Sequence, residues 1–315
     1  MANGRALITT IPPFAPTRYG LLSAATDLST GAPDHWSAGV TWQDHCPTGD
    51  GTYDECVADT AIDDGTPTPE PPVKQVTSGY ELRGATPFTV YARFDCSPVG
   101  FWDVADRLGT EALTRIESLE VERIFSTGVA PRDGSAPITV YPHLSATTEV
   151  VDDTGAIMQP VAVAITDTAL DIVEALGRLE ASLAQCYNGQ GVIHVPAVLA
   201  VELQSNDLIV RQGDQLYTLM GNRVAIGGGY TGASPEGDTD PESVWMYATG
   251  QVFYFRSPVV QVGIGSERFD RQVNTVSAIA ERTYVIGWEC CLLGIPVYPG
   301  GISSGGYDTA GDIGP

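Results

Sequence analysis

The segment from residue 43 to residue 73 limits what this chain can become. It carries Asp44, Asp50, Asp54, Glu55, Asp59, Asp63, Asp64 and Glu70, and then Pro67, Pro69, Pro71 and Pro72. Acids and turn formers at this density make a solvated, extended arm or loop, not a core. A structureless stretch of this length is rare inside a compact domain and is often functional. The two ends have a similar character. Residues 1–35 hold short apolar pieces with little periodicity, and the tail from Pro299 to Pro315 contains six glycines. That tail is expected to be flexible unless a partner pins it.

The rest of the chain can fold. Apolar residues make up 43% of the 315 and charged residues 17%, a composition far from that of a disordered chain. The length allows a large core and suggests two domains. The 16 basic and 39 acidic side chains leave a net charge of −23. That balance disfavours a sequence-independent DNA or RNA binder, which needs a basic face, and docking on anionic lipid. Met1 to Asp27 shows no basic patch followed by an apolar core, so no secretory signal is expected. The longest apolar stretch, Gly191 to Leu203, contains His194, Pro196 and Glu202 and is too short to span a bilayer. A soluble chain made in the cytosol is expected. The six cysteines (Cys46, Cys56, Cys96, Cys186, Cys290 and Cys291) are too sparse for a disulfide framework, so reduced thiols are expected. Cys290 and Cys291 would point to opposite faces of a strand as small buried residues.

Periodicity places the elements. Residues 79–94 alternate through Tyr80, Leu82, Phe88, Val90 and Ala92, as in one or two strands. Residues 101–126 form the clearest helix, with Phe101, Ala105, Leu108, Ala112, Ile116 and Leu119 as its stripe. Asp103 with Arg107, and Glu111 with Arg115, are acid-before-base pairs at i,i+4. Gly128 and Pro131 end the helix. Short strands follow over 138–164, with a turn at Asp152 to Gly155. A second helix spans about 168–187, with Thr168 and Asp171 resembling a capping box and Asn188 and Gly189 as the stop. Its stripe is Leu170, Ile172, Val173, Leu176, Leu179 and Leu183. Val192 to Val195 reads as a buried strand and Pro196 opens a short helix. Further strands fall at 208–211, 216–220, 223–226, 244–255, 258–264 and 275–298, with a glycine-rich acidic loop at 227–242.

No chemistry-bearing constellation emerges. Cys46 and Cys56, with His45 and Cys96, lack the two close pairs of a zinc site. The four histidines (His35, His45, His143 and His194) have no Gly-x-Ser-x-Gly elbow to serve, and His194 in a buried strand reads as a satisfied core residue. Gly227-Gly228-Gly229 is not followed by a helix and reads as a strand-to-loop transition, not a phosphate cradle. Glu236, Asp238, Asp240 and Glu242 lack the pattern of a calcium loop. No catalytic residue, cofactor or metal is assigned. Arms and tails that cannot bury themselves make sense if neighbouring subunits cover them.

The order of elements resembles the major capsid proteins of tailed bacteriophages with the Hong Kong 97-like fold. The residues that carry the resemblance are Glu122 to Gly128 at the end of the long helix, Gly191 to Val195, and Thr218-Leu219-Met220-Gly221-Asn222-Arg223-Val224. Trp288-Glu289-Cys290-Cys291 is similar to capsid-like proteins of actinobacterial phages. The resemblance implies an α+β fold with an N-terminal arm (1–35) and an E-loop region (36–95). It also implies a peripheral domain (96–165) with a spine helix over about 101–126, an axial domain (166–243), return strands (244–298) and a flexible tail (299–315).

The function it implies is a self-assembling structural protein of the virion, not an enzyme. Pentamers and hexamers would build an icosahedral shell, enclosing phage DNA without sequence-specific binding and without a membrane. Scaffolding, portal or decoration proteins would be its partners, and synthesis would be in the host cytoplasm. No helical, charged scaffolding segment precedes the arm, so scaffolding would be a separate protein. Lys74, the only lysine beside fifteen arginines, lies where some family members crosslink lysine to asparagine. Arg107, Arg115 and Arg123 on the long helix, and Arg211 and Arg223 beyond it, are candidate inter-subunit contacts, since guanidinium suits bidentate pairing. Three alternatives stand beside this one: another virion protein (minor capsid, decoration or tail-tube), an encapsulin-like shell, and more distantly a cytosolic α+β hydrolase.

Overall fold

A computed structural model describes residues 14–15, 17–33, 35–44, 46, 81–96, 104–132, 135–139, 142–235, 242–262, 269–270 and 275–300. Lys74, Cys56, most of the acidic segment and the tail after residue 300 lie outside these residues.

The chain opens with one short helical turn, α1 (Leu21–Ala24), and the strands β1 (Thr26–Asp27), β2 (Val40–Asp44), β3 (Glu81–Ala85) and β4 (Phe88–Cys96). The long helix α2 (Ala105–Thr127) follows, then β5 (Val129–Arg132), β6 (Ser135–Thr139), β7 (Val150–Val151), β8 (Ile157–Gln159) and β9 (Val163–Ala164). Helix α3 (Ile172–Tyr187) leads to β10 (Val192–Pro196), the short helix α4 (Ala200–Ser205), and β11 (Val210–Gln212), β12 (Gln215–Tyr217) and β13 (Arg223–Gly227). The chain closes through β14 (Val244–Thr249), β15 (Val252–Arg256), β16 (Val260–Val262), β17 (Phe269–Asp270), β18 (Thr275–Trp288) and β19 (Leu292–Val297).

Two larger sheets organise the molecule. In one, the 14-residue β18 is the hub: it pairs antiparallel with β4, β15, β16 and β17, and β1 joins parallel to β15. Helix α2 lies on β4 and β18. Ala105 and Gly109 face Val276 and Ala278, and Leu113, Val121, Ile124 and Phe125 join the cluster that holds Val90, Ala92, Ala280 and Tyr284. The face is rotated from the expected stripe, and Leu119 is 39% exposed. Gly109 is the reason. A Cβ there would sit 3.3 Å from the Ala278 Cβ, so the small residue lets helix and strand approach. Arg282 and the Tyr284 hydroxyl of β18 both donate to Glu117 Oε1, at 2.8 and 2.5 Å, and add a polar tie between helix and strand.

The second sheet runs β11-β12-β13-β10-β14-β19-β9. Its centre, β10, is buried at every position and pairs parallel with β13 and antiparallel with β14. Helix α3 covers it with Ile172, Ala175, Leu176, Leu179 and Leu183 against Ile193, Val195, Met246, Ala248, Leu293 and Ile295. The cap of α3 is Asp171 alone, whose carboxylate accepts from the amides of Val173 and Glu174 at 3.0 and 3.1 Å. Asn188 ends the helix at φ 50°, a left-handed position asparagine tolerates. A smaller sheet, β2-β3-β8-β7, packs Trp42 edge-on to Phe253 at 5.0 Å.

The chain passes between the two large sheets twice, at Gly250–Gln251 and at Glu289–Cys291. The apolar runs read as single strands over 244–255 and 275–298 are each cut there into two strands of different sheets. The passages touch: Glu289 donates its amide to the Gln251 carbonyl at 3.1 Å. The expectation of reduced thiols is corrected at this point. Cys46 is bonded to Cys290 and Cys186 to Cys291, across 244 and 105 residues of chain. Cys290 sits at φ 54° in the turn between β18 and β19, not on a strand. Sparse cysteines far apart in sequence carry no pairing information until the turn brings them together.

Candidate functional site

The best-built polar site is the seam where α2, the glycine run after β13 and the N-terminal segment meet. Glu122, 2% exposed, accepts from the Leu21 amide at 3.2 Å and from the Gly229 amide at 3.1 Å. Burial outweighs these two hydrogen bonds and raises its carboxyl above the usual range. Behind it, the Tyr230 hydroxyl bonds to His194 Nδ1, and His194 Nε2 bonds to Thr249 Oγ1, both at 3.0 Å. Burial lowers the His194 pKa to about 3, and burial with Glu122 nearby holds Tyr230 well above its ordinary value. A neutral, fully satisfied histidine 1% exposed does not reach solvent, as its buried strand led one to expect.

The glycine run has a packing role the sequence reading missed. A Cβ on Gly229 would overlap the Leu119 carbonyl and lie 2.7 Å from the Arg123 amide, and one on Gly227 would overlap Glu122. These glycines let backbone meet helix α2 side-on.

The N-terminal segment is stitched to its own body. Leu21 is fully buried, Ile226 donates to the Tyr19 carbonyl at 2.7 Å, Gln215 to the Ser23 carbonyl at 3.2 Å, and Thr26–Asp27 adds a parallel strand to β15. Three of the arginines singled out from sequence lie on this segment. Arg223 donates to the Ala24 carbonyl at 2.9 Å, Arg211 lies 5.6 Å from the centre of the Tyr19 ring, and Arg115 lies 5.4 Å from that of Phe14. On α2, Arg107 pairs with Glu111 and Arg123 with Glu120, the latter at 3.1 Å. The described structure thus gives each of the five arginines a partner within the chain, and Lys74 lies outside it.

Asp44 departs from its expected place in a solvated loop. It is 2% exposed, pairs with Arg83 at 2.8 Å and accepts from the Cys290 amide at 2.7 Å. Burial raises its pKa against the pull of Arg83. The signal was its place as the inward residue at the end of the Val40–Asp44 alternation. The three groups Asp44, Cys46 and Cys290 converge, but the two sulfurs are bonded to each other. A depression lined by Trp42, Arg83, Pro142, Ile157 and Trp288 has no interior room for a water molecule. Among the described residues no helix is long and apolar enough to cross a membrane.

No protein-family model matches the chain, and no curated protein matches it. Solved structures do. A chain of Mycobacterium phage Ogopogo is 14% identical, with 93% of this chain and 96% of that chain aligned at a TM-score of 0.53. A chain from the capsid of the native GTA particle is also 14% identical, with 94% and 96% aligned at a TM-score of 0.50. The fold is therefore an α+β fold shared with chains of a phage and of a GTA capsid.

Proposed function

We propose that this chain is the major capsid protein of a tailed bacteriophage, of an actinobacterial host, and that copies of it form the icosahedral shell around the phage DNA. One observation carries the reading: the likeness to the GTA capsid chain runs over 94% of this chain and 96% of that one. Alignment over nearly the whole of both chains fits a subunit of the same build, whereas an enzyme built on a borrowed domain would match in part.

On this reading α2 is the spine helix of a Hong Kong 97-like peripheral domain (96–165), β10 to β13 belong to the axial domain (166–243), and 244–298 return to both. Residues 1–35 are the arm, 36–95 the E-loop region and 299–315 a tail. The subunits form pentamers and hexamers and take separate scaffolding, portal or decoration proteins as partners. The net charge of −23 suits a wall that must not hold DNA tightly. The protein is a virion component without enzymatic activity. Lys74, Arg107, Arg115, Arg123, Arg211 and Arg223 remain candidates for inter-subunit contact, since one guanidinium carries five donors and can serve more than one partner.

Electron microscopy of the purified chain, with light scattering for its mass, tests the proposal. Closed shells, or rings of five and six, are expected, alone or with a co-expressed scaffold. A homogeneous monomer under both conditions overturns it. Open tubes would redirect the assignment to a tail component, and shells filled with protein cargo to an encapsulin-like compartment.

A further inference from the structure

The turn Glu289–Cys291 carries two adjacent cysteines at the point where the chain leaves one large sheet for the other. Their partners come from different parts of the molecule. Cys46 follows β2 of the small sheet, and Cys186 sits in the last turn of α3, which covers the second large sheet. The Cα–Cα separations are 5.4 and 6.2 Å. Both lie in the range of about 4.4–6.8 Å that a disulfide bridges without moving the backbone.

Non-covalent contacts hold the same elements in the same places. The Tyr187 hydroxyl, next to Cys186, donates to Glu289 at 2.6 Å, and Asp44, two residues before Cys46, accepts from the Cys290 amide at 2.7 Å. Neither of these two hydrogen bonds uses a disulfide sulfur, so both are open to the reduced chain. Each pair also joins a more exposed residue to a buried one. Cys186 is exposed and Cys46 half-buried, whereas Cys290 and Cys291 are 8% and 4% exposed.

We propose that Cys290 and Cys291 are the shared anchor of a redox-closed staple. It joins β2, α3 and the sheet crossing after the chain has folded with all four thiols reduced. The oxidant is a low-molecular-weight disulfide of the glutathione class. The Cys186 thiolate attacks one of its sulfurs, forming a mixed disulfide and releasing one small thiol. The Cys291 thiolate then attacks the Cys186 sulfur and releases the second. Two protein thiols are oxidised, one small disulfide is reduced to two thiols, and both protons end on the leaving groups. Cys46 and Cys290 close in the same way. The staple goes beyond the capsid assignment and does not depend on it, because it is read on the isolated chain.

The test is peptide mapping of the full chain, purified under reductant and then exposed to oxidised glutathione, with alkylation before digestion. Linked peptides 46–290 and 186–291 are expected. A glutathione adduct on Cys186 or Cys46 should precede them. Closure should raise the thermal midpoint by about 10 °C and leave the far-ultraviolet circular dichroism of the reduced chain unchanged. Cys186→Ser should keep the 46–290 link and lose part of that rise. Alkylation of all four of Cys46, Cys186, Cys290 and Cys291 after oxidation would overturn the proposal. So would a 290–291 link, or one zinc per chain held by Cys46 and Cys290 and released by chelator.

Discussion

Glu122 joins three parts of the molecule through one carboxylate. It takes the amide of Leu21 from the N-terminal segment and that of Gly229 from the glycine run, while standing on α2. Its folded pKa lies above the unfolded value of 4.5. The folded state therefore keeps a proton that the unfolded state has lost. Burial of the neutral acid contributes fully below 4.5, and the contribution is lost as pH rises through the folded pKa. Glu122→Gln cannot titrate, so the native protein should lose stability relative to that variant as pH rises above 4.5. Urea midpoints of both proteins across that rise check this, and parallel profiles would count against a buried, titrating carboxylate. Gly229 is constrained differently, because its would-be Cβ meets backbone atoms of α2. Gly229→Ala should cost about 3 kcal/mol by overpacking, read as a lower denaturant midpoint with an unchanged slope.

Among the elements, α2 and α3 are held in contrasting ways. Helix α3 is amphipathic, capped by Asp171 and stopped by Asn188, and its signals are local. Asp171→Ala removes the acceptor for two amides and should cost about 1 kcal/mol, measured by chemical denaturation. Helix α2 has no side-chain cap and a weaker apolar stripe. Its position comes from neighbours: Gly109 against Ala278, Glu117 with Arg282 and Tyr284, and Glu122 at the seam. The segment 14–27 behaves as an element although it has little regular structure. Arg115, Arg211 and Arg223 hold it through one ring, another ring and a carbonyl.

For the whole molecule, charge and shape make opposed demands. A chain at −23 repels its copies, so assembly needs apolar burial at the interfaces to exceed that repulsion. Leu219, 94% exposed, and Met220, 57% exposed, at the turn between β12 and β13, and Val201, 76% exposed on α4, are apolar surface available for it. Screening shortens the range of the repulsion. If the chain forms the proposed shell, raising salt from about 0.05 M to about 0.5 M should lower the concentration at which it assembles. Light scattering across a salt series tests this, and a rise in the onset concentration would mean that charge pairs dominate the interfaces instead.

The sequence alone determined the features set by local physics. These are the long helix ended by Gly128, the second helix ended by Asn188, the buried strand containing His194, the turn from Asp152 to Gly155 and the glycine run as the end of a strand. Each rests on periodicity or on a backbone preference that neighbours in the chain express. The element order was enough to suggest the capsid fold. Tertiary structure alone decided the rest. Asp44 sits in an acid-rich stretch yet is buried, because strand β3 supplies Arg83 and the turn between β18 and β19 supplies the Cys290 amide. Glu122 lies on a helix face that simple amphipathicity would give to solvent. Continuous apolar runs at 244–255 and 275–298 could not reveal where one strand stops, because both halves are buried in sheets. The break is set by two backbones crossing at Gly250 and Glu289. The cysteine pairs join residues 244 and 105 positions apart, and that proximity exists only after the sheets have met.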